Sequence, residues 1–304
     1  ETMSMEVTDF YSVLFNPVAQ AKFVHTVSAG YVAASVFVMG VSAYYLLKGK
    51  WTNVARRSMM VASAFGLASS LSVVVLGDES GYALTDNQRM KLAAIEAMWH
   101  TEEAPAGLSI FGIPDMEAQE TRFEVKVPYV LGLISTRSLT GEVMGINELV
   151  LKADERIRSG IVAYDAVEKL KVNRTDMAAR EQFERHKADL GYAMLLKRHV
   201  ADPRAATDQQ IMLAAKDTIP NVPLMFWLFR IMAGLGFFFI GFFALAFYCA
   251  SACQFSNRWF LKIAVAIMPL PWIAIEFGWM LAEIGRQPWA IDGVLPTFLA
   301  ASSL

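Results

Sequence analysis

The sequence predicts an all-α integral membrane protein, a bundle of about four transmembrane helices with one large, mostly helical extramembrane loop. Three observations predict this class. The 304 residues are 55% hydrophobic, with a mean hydropathy of +0.37. Charge is concentrated in the middle, since 23 of the 29 acids and 18 of the 27 bases lie between residues 78 and 217. The flanks contain four apolar runs, and a helix needs about 20 such residues to cross a bilayer.

The four predicted spans, A to D, are residues 23–47, 58–77, 231–257 and 263–282. The first three contain no Asp, Glu, Lys or Arg, and span D contains one acid, Glu276. Unpaired backbone groups are too costly in lipid, so only helices and closed barrels can cross. None of the runs alternates as a barrel strand does, which favours helices. Residues 1–18 look like an interfacial helix that leads through Pro17 into span A.

The two short connections between the spans predict the orientation. They contain several bases and no acid: Lys48, Lys50, Arg56, Arg57, Arg258 and Lys262. Short basic loops stay in the cytoplasm, whereas long loops cross largely regardless of charge. The insert, residues 78–220, is therefore expected on the outer, periplasmic side. The chain then divides into residues 1–77 with spans A and B, the insert, and residues 221–304 with spans C and D.

The insert is predicted to be mostly helical, at residues 87–99, 147–170 and 175–199, where side chains recur at helical spacing. The stretches 112–115 (GIPD) and 201–203 (ADP) predict turns. The net charge of −2 gives no reason to expect a nucleic-acid partner.

Ionisable side chains within spans are costly, so each one is a functional candidate. The candidates lie within the spans or at their ends, and one of them is a soft sulfur ligand: His25, Arg230, Met232, Glu276, Glu283 and Arg286. In the predicted orientation His25, Met232 and Glu283 all lie in the outer half of the bilayer. A rise of 1.5 Å per residue puts Met232 roughly 14 Å deep.

These residue types suit haem iron, although the residues alone leave alternatives open. A His/Met pair fills both axial positions of a low-spin haem, and a single carboxylate leaves the sixth position open. Met232 could equally face lipid or the core, and Glu283 could be a helix-end acid paired with Arg286. The residues alone therefore predict a redox or ion-path membrane protein.

The stretch from Gly278 to Trp289, GWMLAEIGRQPW, resembles the GWxxAExGRQPW signature of subunit I of the cytochrome bd family of bacterial quinol oxidases. Further matches follow in chain order: NPVAQ and KFVHT around residues 16–26, LGDESGY at 76–82, KLAAIEA at 91–97 and FRIM at 229–232. The resemblance covers essentially the whole chain and is closest to the branch with a long quinol-binding loop. That subunit has further helices at both ends, so this chain is expected to be an internal fragment.

The resemblance implies roles for the intramembrane residues. His25 and Met232 match the axial ligands of a low-spin haem b, and Arg230 would lie near that haem. Glu283 matches the ligand of a high-spin haem b. Residues that would pack or pair beside the haems are Trp279 and Arg286. The third haem, haem d, has its proximal His outside this sequence.

In the insert, Lys91 and Glu96 match the pair that the family uses in quinol oxidation; without the resemblance they would be interpreted as part of a solvated helix face. The implied enzyme lies in the bacterial inner membrane and oxidises ubiquinol or menaquinol on the outer side. It passes electrons through haems b to haem d, reduces oxygen to water, and generates a proton gradient without pumping. The implied partners are subunit II, small accessory subunits and the lipid bilayer.

Two other functions were weighed. A transporter using Glu276 and Glu283 predicts inverted repeats and broken helices, and the sequence indicates neither. A family member without catalysis could serve as an assembly partner. Within the oxidase, Glu276 lies seven residues before Glu283 on the same helical face, and it is either part of a proton path or a buried structural acid.

Overall fold

The computed structural model describes residues 9–104, 106–138, 141–252, 255 and 257–300, without the side chains at positions 17 and 86. The described chain is mostly α-helical, which confirms the predicted fold class. Four of its helical stretches are long and apolar enough to cross a membrane: Val18–Leu47, Thr52–Thr85, Val222–Ser251 and Arg258–Ile284. It forms two compact units, Glu1–Ala83 with Phe229–Trp279, and Leu84–Leu228 with Met280–Leu304.

In chain order the described elements are α1 (Phe10–Leu14), α2 (Pro17–Leu47), α3 (Thr52–Asn87), α4 (Arg89–Glu96), β1 (Leu108–Asp115), β2 (Glu120–Val127), α5 (Val130–Thr136), α6 (Ile146–Val172), α7 (Met177–His186), α8 (Leu190–Leu195), α9 (Asp208–Lys216), α10 (Val222–Ser251), α11 (Arg258–Ala266), α12 (Leu270–Ile284), β3 (Trp289–Ile291) and β4 (Leu295–Pro296). Short 3-10 turns connect several of them.

The start of α2 is fixed by local sequence. The Asn16 side chain accepts hydrogen bonds from the backbone N–H groups of Val18 and Ala19, at 3.0 and 3.3 Å. Pro17 takes the first helical position, where a missing N–H has no cost. Of the predicted interfacial helix, residues 1–8 lie outside the described residues, and the described remainder contains the five-residue α1.

The fourth span is interrupted, contrary to the prediction of one continuous helix D. Helix α11 ends at Ala266 and α12 begins at Leu270. Pro269 and Pro271 lack the N–H groups that would donate to the carbonyls of Val265 and Ile267. Those carbonyls instead accept hydrogen bonds from the N–H groups three residues later, those of Met268 and Leu270. The statement that the sequence indicates no broken helix was therefore wrong, and the broken helix no longer separates the oxidase from a transporter.

Small residues let the helices of the first unit approach closely. A methyl group on Gly40 of α2 would overlap the Met268 side chain, and one on Gly66 of α3 would overlap the Phe243 ring of α10. A buried apolar cluster joins α2, α3, α10 and α11, and its members include Met39, Ala43, Met59, Ala62, Phe243, Ala246, Ala250, Phe260 and Ala264. These residues lie towards Leu47, where α2 ends, and Ser251, where α10 ends. The two helix ends are therefore at the same end of the bundle.

The second unit contains an antiparallel β-hairpin, which corrects the prediction of a helical insert with a turn at residues 112–115. Those residues belong to β1, where Phe111 pairs with Val125 and Ile113 pairs with Arg122. Pro114 is tolerated because it lies near the end of an edge strand. A second short hairpin, β3–β4, follows α12, with Trp289 opposite Pro296.

The helices of the insert agree in part with the sequence. Helix α6 covers the predicted residues 147–170, and α4 forms within the predicted residues 87–99, ending at Ala97 in the left-handed conformation (φ +50°). The predicted single helix over residues 175–199 is instead divided into α7, α8 and two 3-10 turns.

Candidate functional site

His25 lies in the third turn of α2, with its ring against α3. A methyl group on Gly77 would be 3.4 Å from His25 Cε1, which is an ordinary van der Waals distance, so the imidazole lies directly beside Gly77 of α3. The Nδ1 atom is buried and makes no well-formed hydrogen bond among the described residues, while the ring lies within reach of the Val73 backbone. A buried ring nitrogen without a partner is costly, and a neutral imidazole nitrogen is a common metal ligand. His25 would therefore be able to hold haem iron through its ring.

Met232 lies in the third turn of α10, with its thioether against α12. A methyl group on Gly278 would be 3.0 Å from Met232 Sδ. This contact brings the FRIM stretch to the first residue of the GWMLAEIGRQPW stretch, although the two are far apart in the sequence. Met232 as a residue is half-buried, and its sulfur atom lies on the side of α10 that faces another span.

His25 and Met232 lie at a similar level in the bundle. His25 precedes the end of α2 at Leu47 by 22 residues, and Met232 precedes the end of α10 at Ser251 by 19 residues. At 1.5 Å per residue they are about 33 and about 29 Å from those helix ends, which lie at the same end of the bundle. The two side chains are therefore in the same half of the first unit, as the sequence-based orientation predicts.

Three further candidate residues of the first unit, Arg230, Trp279 and Glu276, differ in their exposure. Arg230 is half-buried in α10, and its Nε atom is buried. Trp279 is 62% exposed, so its predicted packing against a haem stays a prediction. Glu276 is exposed on α12, which excludes the notion of a carboxyl group buried within this chain. An exposed acid in a span requires lipid headgroups, water or another chain nearby.

Glu283 and Arg286 form the ion pair that the i, i+3 spacing predicts. Arg286 Nη2 lies 2.6 Å from Glu283 Oε2, and the side chains are 47% and 38% exposed. A pair this exposed contributes at most about 1 kcal/mol, so Glu283 can be redirected at low cost. The ion pair uses one carboxylate oxygen. A carboxylate with its second oxygen directed elsewhere can still bind iron, and the ligand role of Glu283 stays a prediction.

Lys91 and Glu96 are both buried in α4, at 7% and 3% exposure. The interpretation of Lys91 and Glu96 as part of a solvated helix face is therefore wrong. The stem of Lys91 packs against the backbone of Gly285, since a methyl group there would be 2.9 Å from Lys91 Cδ. The fold thus brings the candidate quinol lysine beside the residue that lies between Glu283 and Arg286. No pattern in the sequence indicated that contact.

The segment after α12 is held against the insert by a stack that sequence reasoning missed. The Trp289 ring centroid lies 4.9 Å from that of Tyr192 in α8. The guanidinium carbon of Arg156 in α6 lies 4.1 Å from the Tyr192 centroid, and its Nε atom donates to Asp189 at 2.6 Å. Burial raises the pKa of the Tyr192 hydroxyl, so the ring stays neutral beneath the cation.

The fold and site define a class of protein: an integral membrane protein of helical spans that carries candidate axial ligands for haem iron. The chain belongs to the cytochrome bd terminal oxidase subunit I family, whose sequence profile matches residues 1–304. The resemblance on which the sequence analysis depended is thereby confirmed.

Relatives of known name agree with the family assignment. The chain is 40% identical over 305 residues to the cytochrome bd-II ubiquinol oxidase subunit 1 of Escherichia coli, covering 100% of this chain and 59% of that protein. It is 26% identical over 298 residues to the cytochrome bd ubiquinol oxidase subunit 1 of Bacillus subtilis, covering 98% and 52%. The chain therefore spans a little over half the length of these relatives.

A solved structure shares the fold. The bd oxidase from Geobacillus thermodenitrificans superposes with a TM-score of 0.63 at 22% identity, covering 95% of this chain and 53% of that one. At this identity the comparison shows the arrangement of helices, which agrees with the predicted bundle.

Proposed function

We propose that this chain is the haem-ligating and quinol-oxidising part of a bacterial quinol:oxygen oxidoreductase in the inner membrane. The oxidase would act with subunit II and small accessory subunits, oxidising ubiquinol or menaquinol and reducing oxygen to water. The observation that carries the proposal is the common level of His25 and Met232 in one four-span bundle. The name of the Escherichia coli relative, a ubiquinol oxidase subunit, supports the substrate class.

The described residues fit the cofactor that the family implies. His25 would bind iron through a nitrogen of its buried ring, with the Val73 backbone close enough to orient that ring, and Met232 would bind through its sulfur. A glycine lies beside each of these side chains, and at position 278 a methyl group would press on the Met232 sulfur at 3.0 Å. A haem held by His and Met supplies one-electron redox chemistry at a raised potential, without an open site for oxygen. Glu283 would hold a second, high-spin haem b.

Lys91 and Glu96 would perform the proton chemistry of quinol oxidation. Oxidation of a quinol to a quinone releases two protons and two electrons. The Glu96 carboxylate can accept a proton from a quinol hydroxyl, and the Lys91 ammonium can donate a hydrogen bond to the oxygen that becomes a quinone carbonyl. Because both side chains are buried, these interactions would be stronger than on a solvated surface.

The sidedness of the reaction follows from the basic connections. Helices α2 and α10 end at the same end of the bundle, and the short sequence after each of them contains bases and no acid. Short basic loops favour the cytoplasm, so the insert would lie in the periplasm. Protons from quinol would then be released outside, while those consumed in water formation would come from inside. Such a reaction generates a proton gradient without a pump.

The proposal is tested by quinol-dependent oxygen uptake in membranes that carry the full-length protein with its partner subunits. The Lys91→Met variant keeps the apolar stem and removes the ammonium group, so the KM for quinol should rise while the haem absorption bands persist. Lys152→Met is the matched control, because Lys152 is exposed on α6. Absence of quinol-dependent uptake in the unaltered protein, despite normal assembly, would support the assembly-partner function instead. Equal KM values in both variants would refute the role of Lys91.

A further inference from the structure

The β1–β2 hairpin presents an exposed apolar surface that contains none of the candidate site residues. Its members are between 43% and 77% exposed, and we call them the hairpin patch: Ile110, Phe111, Ile113, Phe123 and Val125. Soluble surfaces rarely expose apolar side chains in such groups, and a patch rimmed by polar residues marks a protein or membrane contact.

Ion pairs rim the patch. Arg122 lies 3.2 Å from Asp115 and 2.8 Å from Glu120, and Lys126 pairs with Glu102 and with Glu124. Both basic side chains, Arg122 and Lys126, therefore pair with neighbouring acids. The apolar side chains occupy the surface between the two groups of ion pairs.

A bulge directs the largest member of the patch outward. Phe123 and Glu124 together lie opposite the single residue Gly112, because the strand register shifts between Phe111 and Ile113. Phe123 has a φ of +52° and is 77% exposed. A left-handed backbone is unfavourable for a residue with a Cβ, and such strain usually persists where it serves a function. Here it holds a phenyl ring away from the core of its own chain.

The patch is continuous with the start of a membrane span. The Phe111 ring lies 5.5 Å from the Trp227 ring in an edge-to-face arrangement. A methyl group on Gly112 would be 3.4 Å from Phe226 Cζ. Both aromatic residues belong to the first two turns of α10, which begins at Val222. Tryptophan near the end of a span is typical of the membrane–water interface.

We propose that the β1–β2 hairpin lies in the lipid interface, with the hairpin patch among headgroups and upper acyl chains of the leaflet into which α10 enters. We expect lipid, and not a protein, to cover the hairpin patch because the patch contacts α10 at the level where that helix passes from the insert into its apolar span. The hairpin would thus be a second membrane contact of the insert, independent of the four spans. The proposal does not depend on quinol oxidation.

The test replaces Phe123 with the photoreactive residue p-benzoylphenylalanine in the full-length protein, in native membranes with its partner subunits. The new side chain resembles the old one, and Phe123 is mostly exposed, so folding should be retained. After irradiation, mass spectrometry of the peptide that contains position 123 should detect phospholipid adducts. The control places the same residue at Val172, which is 90% exposed at the end of α6 and should give no lipid adduct.

Each other outcome overturns the proposal. A cross-link from position 123 to another subunit would show that a protein covers the patch. Absence of any adduct at position 123, as at position 172, would show that the hairpin faces water. The same replacement at Val125, which is 56% exposed, provides a second position if the first variant assembles poorly. Equal lipid labelling at Val172 would show that the adducts are not specific to the hairpin.

Discussion

A single methyl group added at Gly285 should displace the Lys91 side chain while the protein stays folded. The Cβ of Gly285→Ala would lie 2.5 Å from Met225 Cε, 2.8 Å from the Leu281 carbonyl oxygen and 2.9 Å from Lys91 Cδ. Carbon atoms are normally about 3.5–4.0 Å apart, so the Met225 methyl and the Lys91 stem must each move by roughly 1 Å. The Leu281 carbonyl belongs to the backbone and must shift as well. Overpacking of this kind costs about 1–3 kcal/mol, which leaves most proteins folded.

The displaced lysine should impair quinol binding more than it impairs folding. A misplacement of about 1 Å can cost up to about 100-fold in rate when the displaced group positions a substrate. We therefore expect the KM for quinol to rise several-fold, while the absorption of the low-spin haem proposed for His25 and Met232 stays unchanged. The control is Gly241→Ala, because no atom lies within 4 Å of the added methyl group.

Steady-state oxygen uptake against quinol concentration measures this effect, with thermal unfolding measured in parallel. If Gly285→Ala lowers the melting temperature and leaves the KM unchanged, Lys91 does not hold the quinol. If neither quantity changes, the close packing between Gly285 and Lys91 is wrong.

Two further predictions concern the insert. Glu96→Gln keeps the shape and removes the proton acceptor, so the kcat of quinol oxidation should fall by roughly 100-fold or more, whereas Glu103→Gln, at an exposed position, should leave kcat unchanged; equal kcat values in a stopped-flow assay would exclude Glu96 as the base. A methyl group on Gly191 would overlap the backbone carbonyl of Gly293, so Gly191→Ala should loosen the β3–β4 hairpin by about 1–3 kcal/mol. Hydrogen exchange of Trp289 measures this change, and unaltered protection would contradict the predicted overlap.

The spans could be predicted from the sequence because composition alone determines them. Uncharged runs of more than 20 residues have few alternatives to a membrane helix, and the described helices contain all four predicted runs in large part. The interruption of the fourth span could also have been predicted. Pro269 and Pro271 lie in the middle of the run, and the absence of their N–H groups is a local property.

The β1–β2 hairpin was missed although it left a signal. In β2 the apolar residues Phe123, Val125 and Val127 alternate with Glu124 and Lys126, which is the period of a strand. Gly112 and Pro114 dominated the interpretation of the first strand, because both residues are typical of turns. The paired partner strand, a non-local feature, is what allowed them to join a sheet.

The candidate site was predictable only where a motif carried it. Nothing local to Arg156 or Tyr192 indicates that they meet Trp289, because that contact depends on how α6 and α8 pack. The contact between Lys91 and Gly285 is of the same kind. Long-range packing of this sort depends on the shape of the whole core, which periodicity in the sequence does not specify.

The central claim, that one haem iron is held between His25 and Met232, is tested most directly by a reduced-minus-oxidised absorption spectrum of the Met232→Leu variant. Leucine nearly preserves the volume of methionine and removes the sulfur, so the protein should assemble. Met268→Leu is the matched control, because Met268 packs on Gly40 towards the other end of the bundle. We predict that the low-spin haem b band is lost or shifted in Met232→Leu and retained in Met268→Leu. An unchanged low-spin band in Met232→Leu would contradict the account.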